Sequence, residues 1–263
     1  MKLLQKLKPV INLFFIVTIL ITFFQADKGW TQDNKAEINK LFEQAWGLFT
    51  QMHKDISSLD KAIAVYKKAL EIDPKNPDVY WKLAEVTFKK ADDLKNKEEK
   101  KKLFDETMAF AMKALELNPN SLEGHYWVGC SAIRLAQLTG VFSAVKMVNQ
   151  AKKELLKTIE INPNHRFSTL AMTVLAAIYR EAPWPIKDIN KAYEYAEKAV
   201  KQDPNLIFAS RQMAYVYIEK KEFEKARKEL NRSLSVKNPT YIWDAELYDW
   251  PKAKETLKSI EGK

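Results

Sequence analysis

The chain has 263 residues, 46% of them hydrophobic and 29% charged, with a net charge of +9. That balance excludes a disordered chain and leaves room for one large or two small domains. Six glycines, abundant Lys, Glu, Ala and Leu, and no sustained apolar–polar alternation predict an all-α protein.

The N-terminus differs from the rest. Lys2, Lys6 and Lys8 precede an apolar run from Val10 to Phe24, and no acid occurs before Asp27. A basic stretch followed by an apolar core of this length reads as a secretory signal. Such a run rises only ~22 Å as a helix, short of the ~30 Å hydrocarbon layer. Ala26 could close the signal, but bulky Phe24 stands where a cleavage site wants a small residue, so an uncleaved anchor stays open as the alternative. Residues 1–32 are therefore a signal peptide or membrane anchor, and residues 33–263 form an exported domain in the periplasm or cell envelope. Membrane contact is expected only through the N-terminal segment. Cys130 is the single cysteine, which excludes an intramolecular disulfide and leaves the core to hold the fold. The three N-terminal lysines account for part of the +9, leaving +6 on the body. Nucleic acid is the usual partner of a basic protein, but an exported one rarely meets it, and none is expected here. The run KNKEEKKK at 95–102 mixes both signs and reads as a solvated helix connection.

From residue 68 onward the chain repeats one ending: KALEIDPKNP (68–77), KALELNPNS (113–121), KTIEINPNH (157–165) and KAVKQDPN (198–205). Each is an amphipathic helix tail stopped by Asp-Pro or Asn-Pro. A fifth ending, ELNRSLSVKNP, closes at Pro239, and Ala192 and Ala226 stand 34 residues apart at equivalent positions. That period is the tetratricopeptide (TPR) pattern of paired helices. Small residues fall where each first helix meets its second, at Ala84, Gly129, Ala176 and Ala214, and Trp46 occupies the tryptophan position of the first copy. Ala62, Tyr66 and Ala69, and later Ala192, Ala196 and Ala199, mark second helices. Close helix approach needs such small side chains, and one pair alone cannot bury its apolar face. The prediction is a curved TPR-like solenoid of about five units, capped by the helix that Pro251 opens in DWPKAKETLKSI (249–260).

Copies two, three and four exceed the basic period, with additions placed between their helices around 90–104, 136–148 and 180–189. The last holds Pro183, Trp184 and Pro185, and proline bars a continuous helix there. Two readings stand: a rigid corner whose Trp184 packs on a neighbouring helix, or three loops at one end of the array that build a lid or an oligomer contact.

The segments GHYWVGCSAIRLAQLTG (124–140), VFSAVKMVNQAKKELLKTIEINPN (141–164) and YREAPWPIKDINKAYEYAEKAVKQDPN (179–205) resemble, in that order, the T-component of TRAP transporters. The resemblance covers residues 120–260, including the tail around ELYDWPKAKETL. It implies a periplasmic helical-repeat protein that works beside a solute-binding subunit of a secondary transporter, self-associates and offers an apolar channel or groove. The chain lacks the anchoring cysteine that this family often carries. Its loop reads Ala-Pro-Trp-Pro where the family has a glycine-containing Pro-Gly-Trp-Pro.

No catalytic constellation is legible, so no catalytic residues and no cofactor are expected. His53, His125 and His165 are far apart and none has an i+4 partner, which argues against a metal site; His125 and His165, at helix starts, read as surface or capping residues. Cys130 reads as a packed small residue. No phosphate loop or nucleophile elbow occurs. The acids lie on polar faces or in Asp-Pro turns, without an apolar setting that would raise their pKa. What remains is the concave side, which first helices line at positions 2, 5, 9 and 12 of each unit. Trp81, Glu85 and Phe88, then Tyr126, Cys130, Ile133 and Arg134, then Phe208, Arg211, Tyr215 and Ile218 fall there. Aromatic and arginine anchors carry most binding energy, and solenoid grooves bind ligands or peptides. The groove is expected to take an apolar or amphipathic small ligand or a protein partner, such as a solute-binding subunit. Filling by the chain's own C-terminal tail or by a second copy is the equal alternative. A carboxylate-clamp groove is not matched, since its positions hold Gly47, Gln51, Trp81 and Glu85. An envelope scaffold without a small ligand is the competing function.

Overall fold

The computed structural model describes residues 32–263, so the signal or anchor expectation for residues 1–26 lies outside the described residues. The described chain is helical: α1 (32–49), α2 (Ser58–Ile72), α3 (Pro77–Asp93), α4 (Lys97–Leu117), α5 (Leu122–Leu138), α6 (Val141–Ile161), α7 (Arg166–Glu181), α8 (Ile189–Gln202), α9 (Ile207–Glu219), α10 (Phe223–Leu234), a short α11 (Ile242–Asp244), a π turn (Ala245–Asp249) and α12 (Trp250–Ser259). The predicted all-α solenoid is what the chain forms, with five antiparallel pairs and a capping helix. Among the described residues no helix is long and apolar enough to cross a membrane.

The unit boundaries are built identically. Asp73, Asn118, Asn162 and Asp203 each turn a side-chain oxygen onto the N–H two residues ahead, at 3.1, 3.1, 3.2 and 3.0 Å. This Asx turn, followed by proline, ends one second helix and aims the next first helix. Asn76, Ser121 and His165 then cap the helices that follow by accepting their free N–H groups. His165 thus takes the capping role expected of it.

Within pairs, the small residues sit at the closest approach. Ala84, Ala176 and Ala214 are fully buried. A Cβ on Gly129 would lie 2.7 Å from Leu155 Cγ and 3.3 Å from the Ala151 carbonyl, so only glycine fits between α5 and α6 without displacement. Ala62, Ala69, Ala192, Ala196 and Ala199 are likewise fully buried on second helices. Alternate helices also touch, α3 with α5, α5 with α7 and α7 with α9, so the first helices make the continuous inner wall. α12 closes the far end by packing Ala253 and Ile260 on Ala214, Ala226 and Leu230.

The additions in copies two and three are not loops. They lengthen α4 and α6 to 21 residues each and leave only 94–96 and 139–140 as connections. The reason is local: KEEKKKLF is rich in helix formers, and Asn96 accepts the N–H groups of Glu98 and Glu99 at 3.0 Å. Of the three lengthened copies only the fourth has a true loop, 182–188, tied by Asp188 N–H to the Tyr179 carbonyl at 2.8 Å. Trp184 stands in it 88% exposed, with a cis bond to Pro185. The corner is as expected, but the tryptophan packs on no neighbouring helix.

The fifth pair keeps the basic period and closes with a tight turn in which Lys221 has φ of +61°. A side chain strains that conformation. Lys221→Gly is therefore expected to gain about 0.5–1 kcal/mol, the strain relieved less the flexibility added. Thermal denaturation checks this, and a lower melting temperature for the variant would reject it.

Candidate functional site

The inner wall encloses a cavity of about 970 Å³. α3 contributes Glu85, Phe88, Lys89 and Asp92 to it; α5 contributes Tyr126, Cys130, Ile133 and Arg134; α9 contributes Phe208, Arg211 and Tyr215. These follow from the pairing register, because every third or fourth residue of a first helix turns inward. Nine of the eleven groove residues read from the sequence thus meet in one cavity. Ile218 packs instead with the last pair. Trp81 packs edge-on to Phe167 at 5.9 Å and donates its indole N–H to Asp78 at 3.0 Å, within the core.

The opposite wall is formed by one of the occupants that the sequence left open. After α10, Thr240 docks on the turn between α8 and α9, through its N–H to the Asn205 carbonyl at 3.2 Å and its hydroxyl to Asp203 at 2.7 Å. The chain then crosses the concave face before returning to α12. Trp243 enters an aromatic pocket at the first repeat, 5.5 Å from the Trp46 ring and 5.7 Å from Phe49, with the Tyr241 ring tilted against it at 5.5 Å. Asp244 pairs with Lys89 of α3 at 2.7 Å. Asp249 accepts from Nε and Nη2 of Arg211 at 3.1 and 2.7 Å, with both side chains buried. Of the occupants left open for the groove, the chain's own C-terminal segment lies in it. The signal was present in TYIWDAELYDWP, 240–251, which carries three acids and no base.

Charge converges on this wall. Lys82, Lys89 and Arg166 surround Glu85, and burial pushes the Glu85 carboxyl above its ordinary range against their pull. Burial also raises Asp249, opposed by Arg211. The expectation that no acid has an apolar setting is thereby corrected: both carboxylates are buried, Glu85 on α3 and Asp249 on the segment that folds back. Cys130 is a packed residue, its thiol pushed up to about 12 by burial. His125, expected at the surface, bridges Glu154 at 2.6 Å and the Pro119 carbonyl at 3.0 Å. Arg134 pairs with Asp92 at 2.9 Å at the cavity edge. Pro183 touches the cavity rim, whereas Trp184 and Pro185 do not line it. Among the described residues no three His, Cys, Asp or Glu side chains are grouped to hold a metal ion.

Residues 41–174, from α1 into α7, match the family model described as regulator of microtubule dynamics protein 1-3. This chain belongs to that family. A tetratricopeptide repeat model matches residues 212–239 of the same family member. Regulator of microtubule dynamics protein 1 of Pongo abelii is 25% identical over 184 residues, covering 65% of this chain and 56% of the relative. The Homo sapiens protein is 27% identical over 139 residues, covering 48% and 44%. The chain thus spans about half the length of these relatives. In fold it is similar to a thermophilic TPR protein of Thermus thermophilus, with a TM-score of 0.61 and 15% identity over 81% of this chain and 98% of that one. PilF of Pseudomonas aeruginosa gives 0.57 and 17% over 87% and 90%. These comparisons show the TPR fold; they do not show the T-component resemblance of residues 120–260. The region matched to the regulator of microtubule dynamics family holds Phe49, Glu85, Lys89, Tyr126 and Arg166, whereas Trp243, Asp244 and Asp249 follow it.

The Glu85 environment sets a pH dependence for this family member. Its folded carboxyl titrates above the ordinary 4.5, so ionisation is what costs stability. Below that value the group is protonated both folded and unfolded and costs nothing; the cost grows as pH rises through the raised value. Glu85→Gln is expected to melt higher than the parent at neutral pH, with the difference vanishing near about pH 4. Equal melting at both pH values would contradict this.

Proposed function

We propose that this chain is an adaptor that holds a segment of a partner protein on its concave face, exported and placed at a cell-envelope membrane by its basic, apolar N-terminus. The carrying observation is the inner cavity of about 970 Å³, walled by aromatic rings and charged side chains from α3, α5 and α9. Aromatic and arginine anchors around a concave solenoid face suit a chain segment more than a small polar solute. Association with a TRAP-type uptake system, a periplasmic solute-binding subunit as the partner and an apolar ligand in the cavity rest on the resemblance at residues 120–260. A partner among microtubule proteins rests on the name of the relatives.

Crosslinked co-purification of the full chain from its native membrane fraction, read by mass spectrometry, separates these. Solute-binding and transporter subunits support the uptake reading, and microtubule proteins support the one taken from the relatives. Recovery of no protein at all sinks the adaptor reading. Native mass spectrometry of the purified chain reads the ligand: added mass on the folded protein supports a small apolar occupant, and its absence favours a scaffold for proteins alone.

A further inference from the structure

The segment across the groove is held as a bound peptide is held. Thr240 to Pro251 carries Asp244, Glu246 and Asp249 and no base, on a chain whose body is otherwise cationic. Its two buried or half-buried carboxylates meet Lys89 and Arg211, on the first helices of the second and fifth pairs, and Trp243 fills a pocket made by the first repeat. The run joining it to α10, residues 235–240, is largely exposed. α12 has its own seat on the last pair through Ala253 and Ile260.

Resting on the adaptor reading above, we propose that residues 241–249 are a resident occupant of the partner site, and that the groove recognises a partner segment of the same chemistry. That segment carries a tryptophan followed at once by an acid, with a second acid five residues later on a helical turn, matching Trp243, Asp244 and Asp249. Charge complementarity identifies it: Lys89 takes Asp244, Arg211 takes Asp249 and Arg166 faces Tyr241, with Glu85 the acid set among them, so an acidic aromatic helix fits and a basic one loses both pairs. The resident segment lowers the apparent affinity for any such partner by the fraction of time it occupies the groove. Partner choice and self-restraint thus use the same side chains.

The test uses the full chain and a fluorescent peptide of residues 239–250 in trans, read by anisotropy. Asp244→Asn loosens one charge contact, and Trp243→Ala removes the aromatic anchor. Either variant is expected to bind the peptide about tenfold or more tightly than the parent does, at unchanged helical content. Should Trp243→Ala fail to fold, Asp244→Asn carries the comparison. Adding Lys89→Glu to Asp244→Asn is expected to abolish binding, and a peptide carrying Asp244→Lys is expected to restore it. Folded variants that bind no better than the parent, or binding indifferent to Lys89, overturn the proposal. A parent that forms dimers by light scattering, lost in Trp243→Ala, overturns the outside partner in favour of a second copy. If the peptide fails while crosslinking still recovers partners, this inference falls and the adaptor reading stands. If the peptide binds and crosslinking recovers nothing, residues 241–249 remain the groove's occupant, and the outside partner falls together with the adaptor reading.

Discussion

Asp249→Ala is expected to cost about 3–5 kcal/mol, the range for leaving one partner of a buried ion pair alone. Arg211 is 8% exposed and spends two guanidinium nitrogens on that one carboxylate oxygen. Its remaining contacts are weaker: the Tyr215 hydroxyl at 3.2 Å and the faces of Phe208 and Tyr215 at 5.3 and 5.5 Å. Without Asp249 the guanidinium stays charged at a buried position, because its pKa is too high to neutralise. The pair need not be a net stabiliser, since burial pushes the Asp249 carboxyl up even with Arg211 beside it. The double change Arg211→Met with Asp249→Leu is therefore expected to recover most of the loss. Urea denaturation of parent, single and double variants measures both. A single variant within about 1 kcal/mol of the parent would show that Arg211 finds water or another acceptor when the carboxylate goes.

Trp127→Ala carries the second large effect, about 3–5 kcal/mol, as for other buried aromatic truncations. Trp127 is 3% exposed, on the core side of α5, with ring centroids 5.2 Å from Phe88, 4.9 Å from Tyr126 and 6.1 Å from Phe167. It therefore locks the second, third and fourth repeats to one another beneath the groove floor. Its indole N–H is buried without an acceptor. Trp127→Phe should stay within about 2 kcal/mol of the parent, because the lost volume is offset by removal of an unpaired donor that costs about 1–3 kcal/mol. Phenylalanine costing as much as alanine in thermal or chemical denaturation would mean the N–H has a partner, and the orphan-donor account would be withdrawn.

How much was legible from the residues varies with the range of the interaction. Periodicity marked the helix pairs, the Asx-Pro endings marked the unit boundaries, and Ala84, Gly129, Ala176 and Ala214 marked the contacts within pairs. All of these are local: a helix face, a turn and a neighbour one helix away are set by spacings within about forty residues. The added residues of copies two and three were placed in the right positions but in the wrong state. A charged stretch such as 95–102 is equally consistent with a solvated connection and an exposed helix end, and Asn96 decided between them through its cap. Trp184 illustrates the opposite limit, since nothing in Pro-Trp-Pro says whether a partner surface lies within reach.

By itself, then, the sequence determined the all-α class, the repeat, the capping helix and which faces of α3, α5 and α9 turn inward, because each follows from a helical period that neighbouring residues enforce. Only the tertiary structure decided what the inward faces meet. Lys89 and Asp244 are 155 residues apart, and Arg211 and Asp249 belong to different elements. Whether a tail of mixed aromatics and acids folds back or stays free depends on the curvature summed over five pairs, which sets the width of the groove. No single repeat encodes that sum, so the buried pKa shifts, the Trp243 pocket and the occupied concave face become visible only when the whole array closes around the segment.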